Sequence, residues 1–408
     1  MAFPTPHFAV LLRSREEFDL FIQMKRQQAL KRVGSCVVRL FDAPLMVIPR
    51  IQELQQTTIH GTYLDTGFRS LARNALVFVD PATEYLFYEN SLQEFASSIT
   101  MPKALREYAL SCARQKEKLP PDEYAKWKAA FHRKFWTEMY EDPKRRIQLV
   151  AETLDLELKS IAKVTMAPGP LIDSQQLFAT AVKMNDVTRQ LSRTKAAEPS
   201  TYLLFHKRAL SDDRLMDDVI SYIEKDDSPL TILKFKGLDL TESERINERE
   251  AYKELLLQLS LIRQKNPTRG FALFEAENQT FPSATVAFDL VSTSYTGQDT
   301  DVGFGKAAPY GKWYDPKEMI QRDFGQVQRL MRTNGLLPHG CPVCRGITSL
   351  GAITADGWYS DRRTHYCFCM QEFMEIISRA IKENNVELAR EKIVNSSIAV
   401  LRSLIPRA

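Results

Sequence analysis

Glycine is scarce in this 408-residue chain, with 16 copies, and neither G-x-G-x-x-G nor G-x-x-x-x-G-K-[ST] occurs. Without such a loop there is no backbone cradle for phosphates, which argues against a dinucleotide or nucleoside-triphosphate enzyme. No run reaches the roughly 18 apolar residues of a membrane span. The opening "MAFPTPHFAVLLRSREEFD" lacks a basic stretch followed by a long apolar one. A cytoplasmic protein without membrane contact is the expectation. Internal repeats and low-complexity tracts are absent. Cysteine is sparse too, six in all. Cys36 and Cys112 stand alone and read as small buried apolar side chains.

The other four cysteines share one short window. "LPHGCPVCRG" supplies His339, Cys341 and Cys344, and "RTHYCFCM" follows with His365, Cys367 and Cys369. In a reducing compartment such clustering points to metal or redox chemistry rather than to disulfides. A C-x-x-C pair can share one tetrahedral metal across a tight turn, so His339, Cys341 and Cys344 form a knuckle. His365, Cys367 and Cys369 compete for the fourth place. A ligand there would pin the helix that follows, marked by Phe373, Ile376, Ile377, Ala380 and Ile381 on one face. The redox alternative lacks a thioredoxin-like βαβ context.

A hydrophobic content of 44% suffices for one large core or two ordinary ones. "NALVFVDP", "TYLLFHKRAL", "LTILKFKGLDL", "RGFALFEAE" and "VAFDLVSTSY" carry nearly continuous apolar runs, as strands covered on both faces require. Helical patterns alternate with them, including one that opens with a capping box from Thr241 to Glu244. This β/α alternation predicts a parallel sheet or a TIM-type (β/α)8 barrel. The stretch 101–163 is long, helical and charged, and reads as an insertion on a barrel loop. Residues 191–200 read as a polar connector.

The net charge of +4 is uneven. Between Met101 and Val150 twelve Lys/Arg face seven Asp/Glu, a local excess of five. There Trp127, Phe131, Phe135 and Trp136 interleave with Lys126, Lys128, Arg133 and Lys134. Such a patch could track phosphates and stack on bases. It could equally be an amphipathic helix with buried aromatics and solvated cations. Polar groups near strand ends are the candidates for chemistry in a barrel: Asp80, His206, Lys207, Gly237 and Asp289. Asp289 stands out, because a carboxylate in an apolar strand is costly unless bonded or used. An aspartate that bonds loop amides is the alternative.

In order, "AFDLVSTSY", "HGCPVC" and "RTHYCFCMQEFMEIISRAIKENN" resemble the queuine/archaeosine tRNA-guanine transglycosylases, a family of zinc-bearing TIM barrels. The resemblance covers the strands from about Thr201 and the cysteine window well, and the N-terminal half loosely. His339 stands where the family has its first cysteine, a helical block is added, and no RNA-binding extension is recognised after the last helix. Those departures resemble the DpdA-type branch, which modifies DNA with 7-deazaguanine bases.

The resemblance implies a TIM-type barrel over 1–335 with a helical insertion at about 101–163, and a zinc-binding subdomain over 336–408. It implies exchange of a guanine in DNA for a 7-deazaguanine base (preQ0) through a covalent aspartyl-sugar intermediate. Asp289 would be the nucleophile. Asp80 would bind the base and move protons, although Pro81 and Ala82 stand where the family has Ser-Gly, and Asp65 in "YLDTGF" is its rival. His206, Gly237 and Leu238 would contact the base. A structural Zn²⁺ would be held by His339, Cys341, Cys344 and His365. DNA, the incoming base and accessory DNA-modification proteins are the implied partners. A tRNA substrate, or a non-catalytic zinc-containing nucleic-acid-binding protein, are the alternatives.

Overall fold

The computed structural model describes residues 7–12, 15–26, 33–50, 77–86, 96–98, 100–238, 246–275, 287–294, 313–316, 320–322, 324–335, 337, 339–353 and 358–382. Asp65 and the predicted capping box at Thr241–Glu244 lie outside these residues.

Nine strands share one parallel sheet: β1 (His7–Leu12), β2 (Val33–Arg39), β3 (Val77–Asp80), β4 (Val164–Thr165), β5 (Leu171–Ile172), β6 (Glu198–His206), β7 (Leu230–Lys236), β8 (Gly270–Phe274) and β9 (Leu290–Ser294). Eight follow the order β3-β2-β1-β9-β8-β7-β6-β4, and short β5 pairs with β6. The sheet curls into a nearly closed barrel. Its two ends approach where Thr83, just past β3, donates to the Gly169 carbonyl, just past β4. An all-parallel sheet must be covered on both faces, which is why β3, β7 and β8 are buried along their whole length.

Alternation along each strand separates two cores. Ala9, Leu11, Val37, Phe78, Tyr202, Leu204, Leu230, Ile232, Ala272, Phe274 and Leu290 fill the barrel interior. Their neighbours, such as Val10, Val38, Val79, Leu203, Leu233, Leu273 and Val291, pack outward in the other core. The helices are α1 (Arg15–Arg26), α2 (Ala43–Met46), α3 (Lys103–Lys116), α4 (Pro121–Glu141), α5 (Pro143–Lys159), α6 (Gln175–Thr194), α7 (Asp213–Lys225), α8 (Ile246–Lys265), α9 (Phe324–Asn334), α10 (Pro342–Gly346), α11 (Leu350–Ile353) and α12 (Trp358–Lys382). Local chemistry starts several of them. Asp142 accepts from the amides of Lys144 and Arg145, with Pro143 at the first position of α5, and Asp212 accepts from the Leu215 amide at the start of α7. No helix among the described residues is long and apolar enough to cross a membrane.

Two expectations change, and a choice between two readings is decided. The block 101–163 is helical, as α3, α4 and α5, but its buried Tyr108, Phe135, Trp136 and Leu149 belong to the same core as the outer faces of the barrel strands. It does not stand apart as a unit with its own interior. Of the two readings of the aromatics, the amphipathic helix fits: Phe135 and Trp136 are buried, and Trp127 and Phe131, partly buried, pack against the same core and stack on each other with ring centroids 4.8 Å apart. Lys126, Arg133 and Lys134 are exposed, the pattern of an amphipathic helix, whereas Lys128 is buried. The connector over 191–200 shrinks to Lys195–Ala197, because α6 runs on to Thr194 and β6 begins at Glu198.

Candidate functional site

The C-terminal ends of the strands gather charge inside the barrel. Interior alternation on β7 continues from Leu230 and Ile232 to Lys234 and Lys236, and on β3 from Phe78 to Asp80. Lys234 Nζ lies 2.5 Å from Asp80, 2.5 Å from Glu84 and 2.7 Å from Glu275, and Lys236 pairs with Glu275. Asp80 is fully buried, and its second oxygen accepts the Tyr202 hydroxyl at 2.8 Å and the Ala82 amide at 2.9 Å. Glu84 rides on the 3-10 turn Thr83–Leu86 that follows β3. Glu275 follows Phe274, which points inward, so simple alternation would send it outward. Its φ of +52° breaks the alternation, and its carboxylate meets the two lysines. Ala82 also has φ +52°. Strained backbone of this kind on non-glycine residues persists only where surrounding contacts hold it.

Burial works to discharge Lys234, but Asp80, Glu275 and Glu84 outweigh it and hold the ammonium well above its usual range. The same burial pushes the Glu84 carboxyl up to about 7, against the opposing pull of Lys234 and with help from Asp80. Burial and the Asp80 charge raise the Tyr202 phenol. Glu157 of α5 is raised well above its usual range by burial, with a smaller push from the Asp80 charge, although it accepts from the Met166 amide. Asp80, Glu84 and Glu275 lie close enough to ligate a cation together. The Lys234 ammonium already stands among them in that place.

His206 ends β6 in register with Lys236, and Gly237 and Leu238 follow β7, so all three belong to this end of the barrel. His206 Nδ1 accepts from the Arg208 amide, and burial together with Arg208 lowers its pKa. Gly237 has φ +71°, a turn glycine adopts without cost.

Asp289 lies elsewhere. It precedes Leu290, an interior residue of β9, so alternation turns it toward the helix layer, and it stands at the N-terminal end of its strand. Its carboxylate accepts from Arg263 of α8 at 2.6 Å and from the Phe271 amide at 2.8 Å. The Asp289 amide in turn donates to the Phe271 carbonyl, four residues below Glu275 and so about 13 Å along the strand. Asp289, read as lying inside its strand, precedes the first residue of β9 and so stands away from the end where Asp80, His206 and Gly237 gather. Asp80 and Asp289 are not brought together.

Lys234, Lys236, Glu84, Glu275 and Tyr202 were not among the sequence candidates. The signal for the lysines was present in "LTILKFK", where two cations occupy alternate positions of an apolar strand. Glu275 carried no such signal, because its direction depends on one left-handed residue.

A second cluster lies in the C-terminal window. Cys341 caps α10, and its sulfur accepts from the Cys344 amide. His365, seven residues into α12, puts Nδ1 3.4 Å from Cys341 Sγ and 3.2 Å from Cys344 Sγ. His365 Nε2 lies 2.7 Å from the Tyr314 carbonyl, which orients the ring, and the ring stacks on Trp313 at 4.7 Å. His339 Nε2 meets Glu372 at 2.9 Å. The ligand atoms of His339, Cys341, Cys344 and His365 all lie within 4.8 Å of one another and could hold a metal ion. Cys369, one turn after His365, brings its sulfur to 3.4 Å from the His365 ring and 3.8 Å from His339. The Cys344 thiol donating to Cys341 holds Cys341 far down, at about 2, whereas burial raises Cys369. Helix α12 packs on β1 and β2, with Tyr366 edge-on to Phe8, so the cluster is tied to the barrel wall.

In comparison with known proteins, no family model and no curated protein matches this chain.

Proposed function

We propose that the chain is a transglycosylase that exchanges a guanine in DNA for a 7-deazaguanine base such as preQ0. The acid–lysine cluster at the C-terminal ends of the strands is its reacting centre. That cluster is the observation that carries the reading: barrel enzymes place their chemistry at this end, and buried carboxylates around a fixed ammonium suit displacement at a sugar carbon. The choice of base and of nucleic acid rests on the resemblance in "AFDLVSTSY", "HGCPVC" and "RTHYCFC".

The resemblance gives attack on C1′ to Asp289. Because that carboxylate stands at the N-terminal end of β9 and faces the helix layer, we assign the attack to the cluster, and to Glu275 as its least enclosed carboxylate. The Glu275 oxygen forms a bond to C1′ as the C1′–N9 bond breaks, and the electron pair leaves with guanine. Asp80 supplies the proton that the departing base takes up. The incoming base then loses its N9 proton to Asp80 and displaces the carboxylate, so two inversions give retention. His206, Gly237 and Leu238 border the same end and are assigned to the base.

The metal at His339, Cys341, Cys344 and His365 is zinc in this reading. Tetrahedral bonds of ordinary Zn–S and Zn–N length put sulfur and nitrogen about 3.5 Å apart. The two sulfur-to-His365 separations fall just under that value. With four protein ligands the ion is structural and holds α12 to the knuckle.

The test offers labelled preQ0 with DNA and with tRNA side by side. Incorporation into DNA supports the reading, and incorporation into tRNA alone keeps the chemistry but moves the substrate. Absence of incorporation into either by folded, zinc-loaded protein removes the reading.

A further inference from the structure

Glu84 is the one carboxylate of the cluster without a task so far. Its Oε1 lies 2.5 Å from Lys234 Nζ and 3.7 Å from Lys236 Nζ, yet no described residue makes a well-directed hydrogen bond to either of its oxygens. The titratable groups that face it are Asp80 on β3, Tyr202 on β6, Lys234 and Lys236 on β7, and Glu275 after β8. Glu157 of α5 is buried near enough to feel the Asp80 charge.

Among the described residues, three carboxylates against two ammoniums leave one surplus negative charge in a buried volume. Such a surplus is costly, and one proton removes it. Asp80 has Tyr202, the Ala82 amide and Lys234 on its oxygens, and Glu275 has both ammoniums. Glu84 Oε2 has no such ion-pair partner among the described residues. The proton is least costly there.

We propose that Glu84 is a positioning residue that stores the proton exchanged in each half of the reaction and passes it to Asp80 through the Lys234 ammonium. This rests on the reading of the cluster as the reacting centre. The Glu84 carboxyl first turns so that its proton faces Lys234 Nζ, which now lies beside Oε1. As Glu84 then releases that proton to Nζ, the same ammonium donates one to Asp80 Oδ2, and Asp80 delivers it to the departing base. The lysine keeps its charge throughout. The incoming base loses its N–H proton to Asp80, and the reverse relay restores Glu84, so no proton is gained or lost over a cycle. Burial, which raises Glu84 to about 7, favours the same assignment.

Infrared titration of the resting, metal-loaded protein tests the proton's place without any substrate. Two protonated-carboxyl bands are expected in the wild type, one from Glu157, identified by its loss in Glu157→Gln, and one that fades through neutral pH. The fading band should vanish in Glu84→Gln and shift in Glu84→Asp. In base exchange, Glu84→Gln should lower kcat about a hundredfold, remove the pH dependence near neutrality and leave KM for DNA unchanged, with Glu84→Asp restoring part of the rate. The proposal is overturned if the wild type shows no band that fades through neutral pH, or if that band persists unchanged in Glu84→Gln. Should Glu84→Gln fail to fold, the wild-type titration and the shift in Glu84→Asp decide it. A wild type that shows the fading band but exchanges no base supports the proton's place and counts against the functional reading alone.

Discussion

At the residue scale, two buried carboxylates of similar appearance in sequence have opposite fates. Asp80 points into the barrel at a C-terminal strand end, whereas Asp289 points into the helix layer at an N-terminal one. Replacing Asp289 by Asn leaves Arg263 a buried cation without a counter-charge, which should cost about 3 kcal/mol of stability in denaturant unfolding. The variant should still exchange bases wherever it is folded. Loss of exchange in folded Asp289→Asn protein would return the nucleophile to that position. Glu84 has a different signature. Its pKa is raised on folding to about 7, so between its unfolded value near 4.5 and 7 the folded state binds the extra proton. Its contribution to stability is therefore fully present below about 4.5 and is lost as pH rises to about 7. Unfolding measured across that window should show a downward slope in the wild type relative to Glu84→Gln. Parallel curves for the two proteins would show that Glu84 titrates normally.

At the scale of elements, the five apolar runs quoted from the sequence each contain a strand of the barrel, because strands buried on both faces announce themselves by continuous hydrophobicity. β1, β2, β4 and β5 were not read, and β4 and β5 are two residues each, too short for any periodic signal. The Cys-His window was legible because its ligands are close in sequence and rare in composition. Cys369 beside His365 was legible only as a rival, since one helical turn presents both to the same place. Cys341→Ser should abolish stoichiometric zinc and loosen α12, whereas Cys367→Ser should keep the metal, as metal analysis after gel filtration would show. Retention of full zinc in Cys341→Ser would exclude the proposed ligand set. The cations of α4 and α5 divide as well. Arg146 donates to the Met139 and Tyr140 carbonyls at the end of α4, so Arg146→Ala should cost about 1 kcal/mol. Arg133 and Lys134 are exposed, and neutralising them should leave stability unchanged. If they meet DNA phosphates, the log–log salt slope of binding should flatten by about 0.9 for each phosphate that is no longer neutralised.

At the scale of the whole molecule, charge is distributed unequally between the two ends of one barrel. At the N-terminal end Asp289 is matched by Arg263, and Asp226 by Arg189 and Arg269 with the Thr201 hydroxyl, so both of these carboxylates have cations and hydrogen bonds from the surrounding helices and strands. At the C-terminal end, among the described residues, Asp80, Glu84 and Glu275 face only Lys234 and Lys236 within the cluster. An end satisfied in this way stabilises, and an end left with a surplus is where a barrel does chemistry. The barrel class follows from strand composition, while the location of the surplus depends on the curl of the sheet, which brings β3, β6, β7 and β8 to one mouth from distant parts of the chain. The most direct test measures incorporation of labelled preQ0 into DNA by zinc-loaded wild type, Asp80→Asn and Asp289→Asn, each verified as folded. The account predicts incorporation by the wild type, a loss of about a hundredfold or more in Asp80→Asn, and retained incorporation in Asp289→Asn. Undiminished incorporation by Asp80→Asn, together with its loss in Asp289→Asn, would contradict it.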